Sequence, residues 1–484
     1  MIPLLSVAFQ PMNADNKIKD PETEWNDEND RSLPSVPTLS IDEQYLYIRS
    51  SVELTNLDVC IRDSYGNIVY SDNHSIPTGG IAEYLNYYDF NILILIKTNS
   101  IMNKNIWQLL FFALTITSCS TTALKEREGS KEYTMQRVED KQFLLDSSTT
   151  QETIYFQATE QNNLALYNAP DHSIRIFDIA SGKELSKIQL YKDGPNATKD
   201  AQGFYIQDKD NIWVYQYLIK ELLLIDSKGV IKERRKLADK LYPKTKIENT
   251  VSPFPLTDMP ISMYKDWIIL QGTNGVGVEQ GIHPACTILY NTKTDEVFTT
   301  NRYPSLYGDP KMINKKWDTF VYRAVPYTLS PNNEMVLSYP ADDSIRVYNM
   351  KQNTTQCHFA GYTVETKPSP INGSTMTALT KHFLEQYQYA GIIYDKYRDL
   401  YYRLVVRPIF DYDINDESTQ NKPLSIIILN KEYNKVGEFD LDTNAYRYRN
   451  IFVSKSGLHI NVASDNDDYL NFITLKPIKN ENKH

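Results

Sequence analysis

Asp171-His-Ser-Ile-Arg-Ile-Phe-Asp178 and Asp342-Asp-Ser-Ile-Arg-Val-Tyr-Asn349 are two copies of one pattern in a chain of 484 residues. Each follows a run that ends in a proline-containing turn, Leu166-Tyr-Asn-Ala-Pro170 and Leu337-Ser-Tyr-Pro-Ala341. Ile174 and Ile176 fall on one side and Arg175 on the other, which is the two-residue period of a strand. Related strands recur at Glu221-Leu-Leu-Leu-Ile-Asp226, Cys286-Thr-Ile-Leu-Tyr-Asn291 and Leu424-Ser-Ile-Ile-Ile-Leu-Asn430, with a looser copy at Tyr469-Leu-Asn-Phe-Ile-Thr-Leu475. The first three end in Asp or Asn, whose side chains cap tight turns, and an outgoing strand follows. Units of roughly 40–60 residues, each a few strands, point to a β-propeller before a sandwich. Six copies fit, over about 163–190, 203–237, 265–300, 325–359, 390–440 and 450–478. Tyr133 to Asp146 is placed to supply the missing outer strand of the last copy, which would join the two ends of the ring and remove an edge.

Composition agrees with an all-β chain. There are 35 Tyr and 17 Phe against 18 Gly, and the aromatics sit in short runs with Ile, Val and Leu, residue types that favour strands. The net charge is −10, with no dense basic cluster beyond Lys232–Lys236. A phosphate backbone needs a basic footprint, so no nucleic-acid partner is expected. Four cysteines, Cys60, Cys119, Cys286 and Cys357, are too few for a disulfide framework in a chain this long. None has zinc-ligand spacing.

Met102-Asn-Lys-Asn followed by the apolar Ile106–Ile116 and Ile116-Thr-Ser-Cys119 has the order of an export signal: a positive charge, an apolar run, a small residue, a cysteine. The apolar run is too short to span a bilayer, which takes about 20 residues, but fits a signal sequence. The stretch resembles a bacterial lipobox, in which the cysteine is lipidated and becomes the mature N-terminus. The resemblance makes Cys119 the lipidation site and a membrane the partner of the lipid. Such a signal belongs at an N-terminus, and here it lies mid-chain. Either Met102 is the true start and residues 1–101 were joined to it by a frameshift or start-site error, or the fusion is real and the signal is inactive. The reading favours the first, because 91–101 shows neither turn chemistry nor polar alternation.

The resulting organisation has five parts: a polar segment 1–35 with the remnant of another export signal; a partial β-sandwich, 36–101; the internal signal, 102–119; a tether, 120–132; and a six-bladed β-propeller, 133–484. In the second part, Leu57–Asp63 alternates apolar and polar, Ser64-Tyr-Gly-Asn67 is a turn, and Ile68-Val-Tyr70 returns. Leu33-Pro-Ser-Val-Pro-Thr38 and the stretch LTNLDVCIRDSYGNIVYSD over 54–72 resemble a family of small secreted bacterial β-sandwich domains of unknown function, over about 30–85. The final strands of that sandwich are missing from the pattern. In the propeller, Gly194-Pro-Asn196, Gly203-Phe-Tyr-Ile-Gln207, Leu329-Ser-Pro-Asn-Asn333, Ile393-Tyr-Asp-Lys-Tyr-Arg-Asp-Leu-Tyr-Tyr-Arg403 and Leu424–Asn430 together resemble an uncharacterised family of exported bacterial six-bladed, TolB-like propeller lipoproteins, over about 102–478. That resemblance implies a fold and an address at the cell envelope, and no chemistry.

Catalytic signatures are absent from the sequence. There is no phosphate-binding Gly-x-x-x-x-Gly-Lys, and Gly272-Thr-Asn-Gly-Val-Gly277 is followed by a strand where a dinucleotide site needs a helix N-terminus. The seven histidines form no His-Glu-x-x-His; His382 and Glu385 alone do not make a metal site. Asp465-Asn-Asp-Asp468 lacks the glycine and glutamate of a calcium loop and reads as a hairpin turn. No nucleophile elbow exists. Cys286 and Cys357 read as two buried thiols. The candidate ligand residues are therefore recognition residues. Tyr394, Arg398, Tyr401 and Arg403 combine stiff area with polar tips, although they equally suit a hairpin whose aromatics fill the space between blades. His283, Arg302 and Arg323 are assigned to the central channel by strand position. Three longer insertions, Lys240–Ile261, Thr363–Ala390 with a helix at Ser374–Tyr389, and Asp411–Lys422, are where function is expected, since long loops carry it more often than strands do.

The expected function is non-enzymatic binding of a protein, peptide or glycan at the envelope, without a cofactor. The rival is a metal-dependent lactonase or lyase, whose Ca²⁺ or Zn²⁺ ligands would come from different blades and leave no local spacing.

Overall fold

Ser173–Asp178, the strand that carries the first repeat, is buried along most of its length. Its neighbours show why. It pairs antiparallel with Asn163–Asn168 on one side and with Glu184–Gln189 on the other, and Phe156–Ala158 completes the sheet. The last strand, Glu-Leu-Ser-Lys-Ile-Gln, is exposed at all positions but one. Apolar strands lie inside and a polar strand closes the outer edge.

The computed structural model describes residues 129–241, 250–273, 284–308, 320–364, 368–369, 371, 375–443 and 445–480, and the backbone of six strands between Thr38 and Thr98. The chain divides into two units, Met1–Leu114 and Thr115–His484. Among the described residues no helix is long and apolar enough to cross a membrane.

In the first unit, Tyr45–Arg49 pairs with Thr38–Ile41 and Ile81–Tyr84. Leu54–Arg62 pairs with Ile68–Ile76, as the turn chemistry predicted, and with Leu93–Thr98 on its other edge. The last pairing corrects the reading of 91–101 as tail. An unbroken apolar run lacks the alternation of a half-buried strand, yet Leu93-Ile-Leu-Ile96 has strong strand propensity.

The second unit is all-β, in a propeller-like arrangement of antiparallel sheets. After the first sheet come Ala201–Asp208, Asn211–Gln216, Glu221–Ile225 and Ile231–Lys236. The third sheet has Trp267–Thr273, Ala285–Asn291 and Val297–Arg302, with Ser252–Pro253 and Ser262–Tyr264 both paired to its Trp267–Thr273 strand. The fourth has Tyr327–Leu329, Met335–Ser338, Ser344–Asn349 and Thr354–Phe359. The rest is one nine-stranded sheet. One half is the meander Gln388–Asp395, Leu400–Val406, Leu424–Leu429 and Lys435–Asp440. The other half is Tyr446–Ser454, Gly457–Val462 and Tyr469–Lys479, closed by Tyr133–Arg137 and Lys141–Leu144, which both pair with Tyr469–Lys479. The ladder joining the halves is a single parallel pairing, Gly437 with Tyr133. The first strands neighbour one another: Gln388–Asp395 lies against Tyr327–Leu329 and Tyr446–Ser454, and the latter against Phe156–Ala158.

Aromatic side chains fill the spaces between sheets. Phe143, from the N-terminal strand pair, meets Phe177 of the first sheet at 5.8 Å and Phe472 of the closing half at 5.7 Å, both edge to face. Tyr155 packs on Phe204 of the second sheet and donates to its carbonyl at 2.6 Å. The helix of the Thr363–Ala390 insertion runs only from Met376 to Glu385; Tyr389, expected to be helical, already belongs to a strand.

Candidate functional site

Antiparallel strands reverse at each turn, so the connections of these meanders sort into two ends. First-to-second and third-to-fourth turns emerge at one end, and these are short: 159–162, 209–210, 265–266, 330–334, 396–399 and 455–456, with 179–183, 226–230, 292–296, 350–353 and 430–434. Second-to-third turns and sheet-to-sheet connections emerge at the other end. All three insertions, Lys240–Ile261, Thr363–Ala390 and Asp411–Lys422, belong there. Long connections carry binding groups on a rigid scaffold, so this end holds the candidate site.

One of these connections runs back into the ring. Pro253-Phe-Pro-Leu-Thr-Asp-Met-Pro260 makes a tight turn closed by Met259 N to Leu256 O at 3.0 Å and Leu256 N to Met259 O at 3.2 Å. Its backbone is bonded on several sides: Phe254 N to Gln271 O at 3.0 Å, Thr257 N to Ile154 O at 3.1 Å, and Tyr327 N to Asp258 O at 3.1 Å. Leu256 and Met259 are buried with Ala324. The tip therefore sits among the first strands, on the axis of the arrangement.

Thr257 anchors the tip. Its hydroxyl accepts from Phe156 N at 2.9 Å and lies 3.1 Å from Asn450 Oδ1 and 3.2 Å from Ile154 O. Asn450 Nδ2 donates to Thr153 O at 2.7 Å. Thr257→Val keeps the shape and strands a buried N–H and a buried amide oxygen. The expected loss in urea unfolding is about 2–3 kcal/mol, since each orphaned buried group costs about 1–3 kcal/mol.

Asp258 is the buried acid of the axis. Its carboxylate accepts from Arg449 Nη1 at 2.8 Å with none of its side chain exposed. Burial pushes the Asp258 carboxyl above its usual range, against the pull of Arg449. For Arg449, burial opposes the charge and the Asp258 carboxylate outweighs it, so its pKa rises. Tyr448 hydrogen-bonds Arg449, and its own burial and the Asp258 carboxylate hold its pKa up. Tyr322, from the connection into the fourth sheet, accepts a hydrogen bond from Gln388. Asp258, Tyr322 and Gln388 are buried, while Tyr448 and Arg449 are half-buried. Among the described residues no group of three or more His, Cys, Asp or Glu could hold a metal ion.

The residues singled out by sequence do not converge on this cluster. Arg323 ends the short helix Phe320–Arg323, directly before the axial Ala324, and its carbonyl accepts from Tyr303 Oη at 2.5 Å. Arg302 is exposed at the end of the outermost strand of its sheet, away from the axis; its carbonyl accepts from Tyr339 Oη at 2.9 Å. His283 and Cys119 lie outside the described residues. Tyr394 and Arg398 belong to the short-turn end. Tyr394 donates to Asp399, and Arg398 bonds Asp395 at 2.8 Å and the neighbouring hairpin at Lys455 O, 2.5 Å. Tyr401 is buried between Tyr394 and Tyr433. Arg403 is fully buried, with its guanidinium taken up by the fourth sheet. The Tyr-Arg run is therefore packing between sheets, because both faces of these strands are covered. Cys286 is buried as expected, whereas Cys357 is only half-buried on a sheet's last strand.

Asp258, Thr257, Gln388, Tyr448, Arg449 and Asn450 were not found from sequence. They come from three separate segments, and the one local signal was the proline-bracketed run 253–260 inside an insertion already marked as proline-rich.

The family model of a domain of unknown function, DUF4221, matches residues 132–440, and that of another, DUF3244, matches residues 20–85. No curated protein matches the sequence. Among solved structures, a DUF4221 family member from Bacteroides vulgatus ATCC 8482 superposes with a TM-score of 0.60 at 21% identity, over 72% of this chain and 100% of the other. A putative exported protein from Bacteroides fragilis NCTC 9343 gives 0.47 at 9% identity, over 73% and 99%. A virginiamycin B lyase from Staphylococcus aureus gives 0.36 at 12% identity, over 70% and 88%. The first likeness concerns the fold; the other two are weaker still.

Proposed function

The chain belongs to the DUF4221 family of domains of unknown function, and from that premise we propose that it is an exported lipoprotein whose six-bladed β-propeller binds a protein, peptide or glycan at the cell envelope. Six blades follow if the nine-stranded sheet is counted as two. Its halves share one strand-ladder pairing, Gly437 with Tyr133, and each half has the strand order of the separate sheets.

The observation that carries the reading is where the chain leaves the ring. Ser130 N bonds Lys435 O at 3.2 Å, Asn480 N bonds Glu132 O at 2.8 Å, and Tyr133 pairs with Lys479. All of these lie at the short-turn end. A tether from a lipidated Cys119 to Gly129 therefore holds the short turns toward the membrane and turns the long connections outward. A rigid scaffold that offers its variable loops away from its anchor is built to meet a partner. The tip at Thr257–Asp258 occupies the axis, where a channel-centred enzyme would need space for substrate.

Mass spectrometry of the mature protein tests the address. The expected N-terminal peptide begins with a diacylated Cys119; an unmodified peptide running through Cys119 in the mature protein contradicts it. The rival reading, a metal-dependent hydrolase or lyase, is tested on the same full-length material. Stoichiometric Ca²⁺ or Zn²⁺ retained after purification would favour it over binding.

A further inference from the structure

The short-turn end carries a ring of lysines. Each of the four smaller sheets of this unit, and each half of the nine-stranded one, places an exposed lysine in a short turn: Lys183, Lys209, Lys265, Lys351, Lys396 and Lys455 in chain order. Lys228, Lys293 and Lys431 add a second to three of the six. The same turns hold six exposed carboxylates, Glu160, Asp210, Asp295, Glu296, Asp399 and Glu432, in a chain whose net charge is −10. Several acids here are drawn back into the fold. Asp226 accepts from the backbone N–H groups of Lys228 and Val230 at 2.9 Å each, Asp295 from Tyr290 Oη at 2.8 Å, and Asp399 from Tyr394. Asp208, at a strand end, accepts from Asp210 N and Asn211 Nδ2 at 2.8 Å each. Lys209 and Lys431 lie 3.8 Å from Asp210 and Glu432, and Lys293 lies 3.1 Å from Asp266, exposed pairs that hold a lysine only weakly. A carboxylate on a short stem, tied to its own turn, lies a layer below an ammonium on a four-carbon stem. Screening acts over about 8 Å at physiological salt, so an approaching surface meets the outer, cationic layer first. Apolar tips are placed the other way: Leu218, Met376 and Phe410, each 75% exposed, belong to the long connections.

We infer that this ring of lysines rests on an anionic lipid surface, which makes the short-turn end a membrane-contact face in its own right. The lysines come from six different sheets, so no small anion gathers them; an extended anionic surface meets many at once. Each contact with such a surface is weak, and their sum sets the orientation of the whole ring. The described chain also starts and ends here, at Ser130 and Asn480, which bond Lys435 O and Glu132 O. The contact deepens the envelope reading above by naming the headgroup charge, and rests on that reading for the tether that brings this end to the membrane.

The test is acetylation of each lysine, read by mass spectrometry, in the full-length protein reconstituted with vesicles of phosphatidylcholine alone or mixed with phosphatidylglycerol. With phosphatidylglycerol present, Lys209, Lys228, Lys351 and Lys431 are expected to react about fivefold more slowly than with phosphatidylcholine alone. Lys192, Lys199 and Lys381, exposed on the long connections, are expected to react equally in both. Molar salt, which cuts the screening length to about 3 Å, should abolish the difference. Lys209→Glu, Lys228→Glu, Lys351→Glu and Lys431→Glu combined should remove the protection of Lys183, Lys265 and Lys455, with a melting curve showing the variant folded. Equal reactivity of the short-turn lysines in the two vesicles overturns the contact, as does protection of the long-connection lysines instead. If the short-turn lysines are unprotected while the mature N-terminus is a diacylated Cys119, the contact falls and the anchor stands. If they are protected in a protein whose Cys119 is unmodified, the contact stands and the lipid anchor falls.

Discussion

Arg403→Met is expected to lower the stability of the propeller unit by about 3–5 kcal/mol, because several buried acceptors lose their donor at about 1–3 kcal/mol each. The guanidinium is the meeting point of two sheets. Its Nε donates to Ser338 Oγ at 2.9 Å, Nη1 to the carbonyls of Asp343 and Ala360 at 3.0 Å each, and Nη2 to those of Asp342 at 2.6 Å and Tyr339 at 3.4 Å. The charge also lies over the Tyr389 ring, 3.8 Å from its centre. Methionine fills much of the volume but donates nothing, so the loss comes from acceptors left dry rather than from a cavity. The polypeptide around residues 339–343 and 360 should loosen first. Hydrogen exchange at Asp343–Ile345 and at Ala360 should speed up well before exchange at Asn163–Asp178, and urea unfolding gives the total. A variant within about 1 kcal/mol of wild type, the level of an ordinary surface change, would contradict this placement of Arg403.

The second large effect is on acid stability, and it comes from His459. The ring is fully buried, stacked on Phe452 at 4.3 Å, and hydrogen-bonded to Ser454 Oγ at 2.7 Å and Thr474 Oγ1 at 3.0 Å. Burial holds its pKa down to about 3, from the 6.5 usual for histidine. Below pH 6.5 the unfolded chain takes up a proton that the fold refuses, so stability falls as pH drops, until the folded pKa is reached. The whole shift corresponds to about 5 kcal/mol, at 1.36 kcal/mol per unit. Burial also depresses His172, His358 and His382, so they act in the same direction. Carboxylates that the fold favours, such as Asp171 and Asp295, lose their contribution only at lower pH. The interval from pH 6.5 to about 4.5 therefore separates the histidines from these lowered carboxylates, and the difference between wild type and a single His variant isolates one ring. In His459→Asn, the slope of stability against pH over that interval should shrink by about one proton, or about 1.4 kcal/mol per pH unit. An unchanged slope would mean that His459 is protonated in the fold.

The repeat was legible because it is made locally. Asp171 bonds Arg175 at 2.6 Å and approaches Ser173 Oγ at 2.5 Å; in the second copy Asp342 pairs with Arg346 at 3.5 Å and accepts from Ser344 N at 2.9 Å. Asp, Ser and Arg recur together because the acid caps the turn and the arginine returns to it along the strand. The hairpin at Asp395–Asp399 was legible for the same reason. The axial cluster was not. Thr153, Asp258, Gln388 and Asn450 meet only after the ring closes, and no local spacing records that. In the Tyr394–Arg403 run the packing reading, already the favoured one, has a physical reason: strand period says which residues share a face, but in a ring of packed sheets both faces are covered. Exposure had to come from the fold.

On the proposed binding role, the long-connection end meets a partner while the short-turn end faces the anchoring membrane. A photocrosslinking scan in intact cells tests it most directly, with a photoreactive residue placed singly at exposed positions of each end. Leu218, Met376 and Phe410 mark the long connections; Lys209, Lys228, Lys351 and Lys431 mark the short turns. A discrete adduct of one size is expected from several positions of the first set and none of that size from the second. Adducts formed equally at both ends, or only at the short turns, would contradict it.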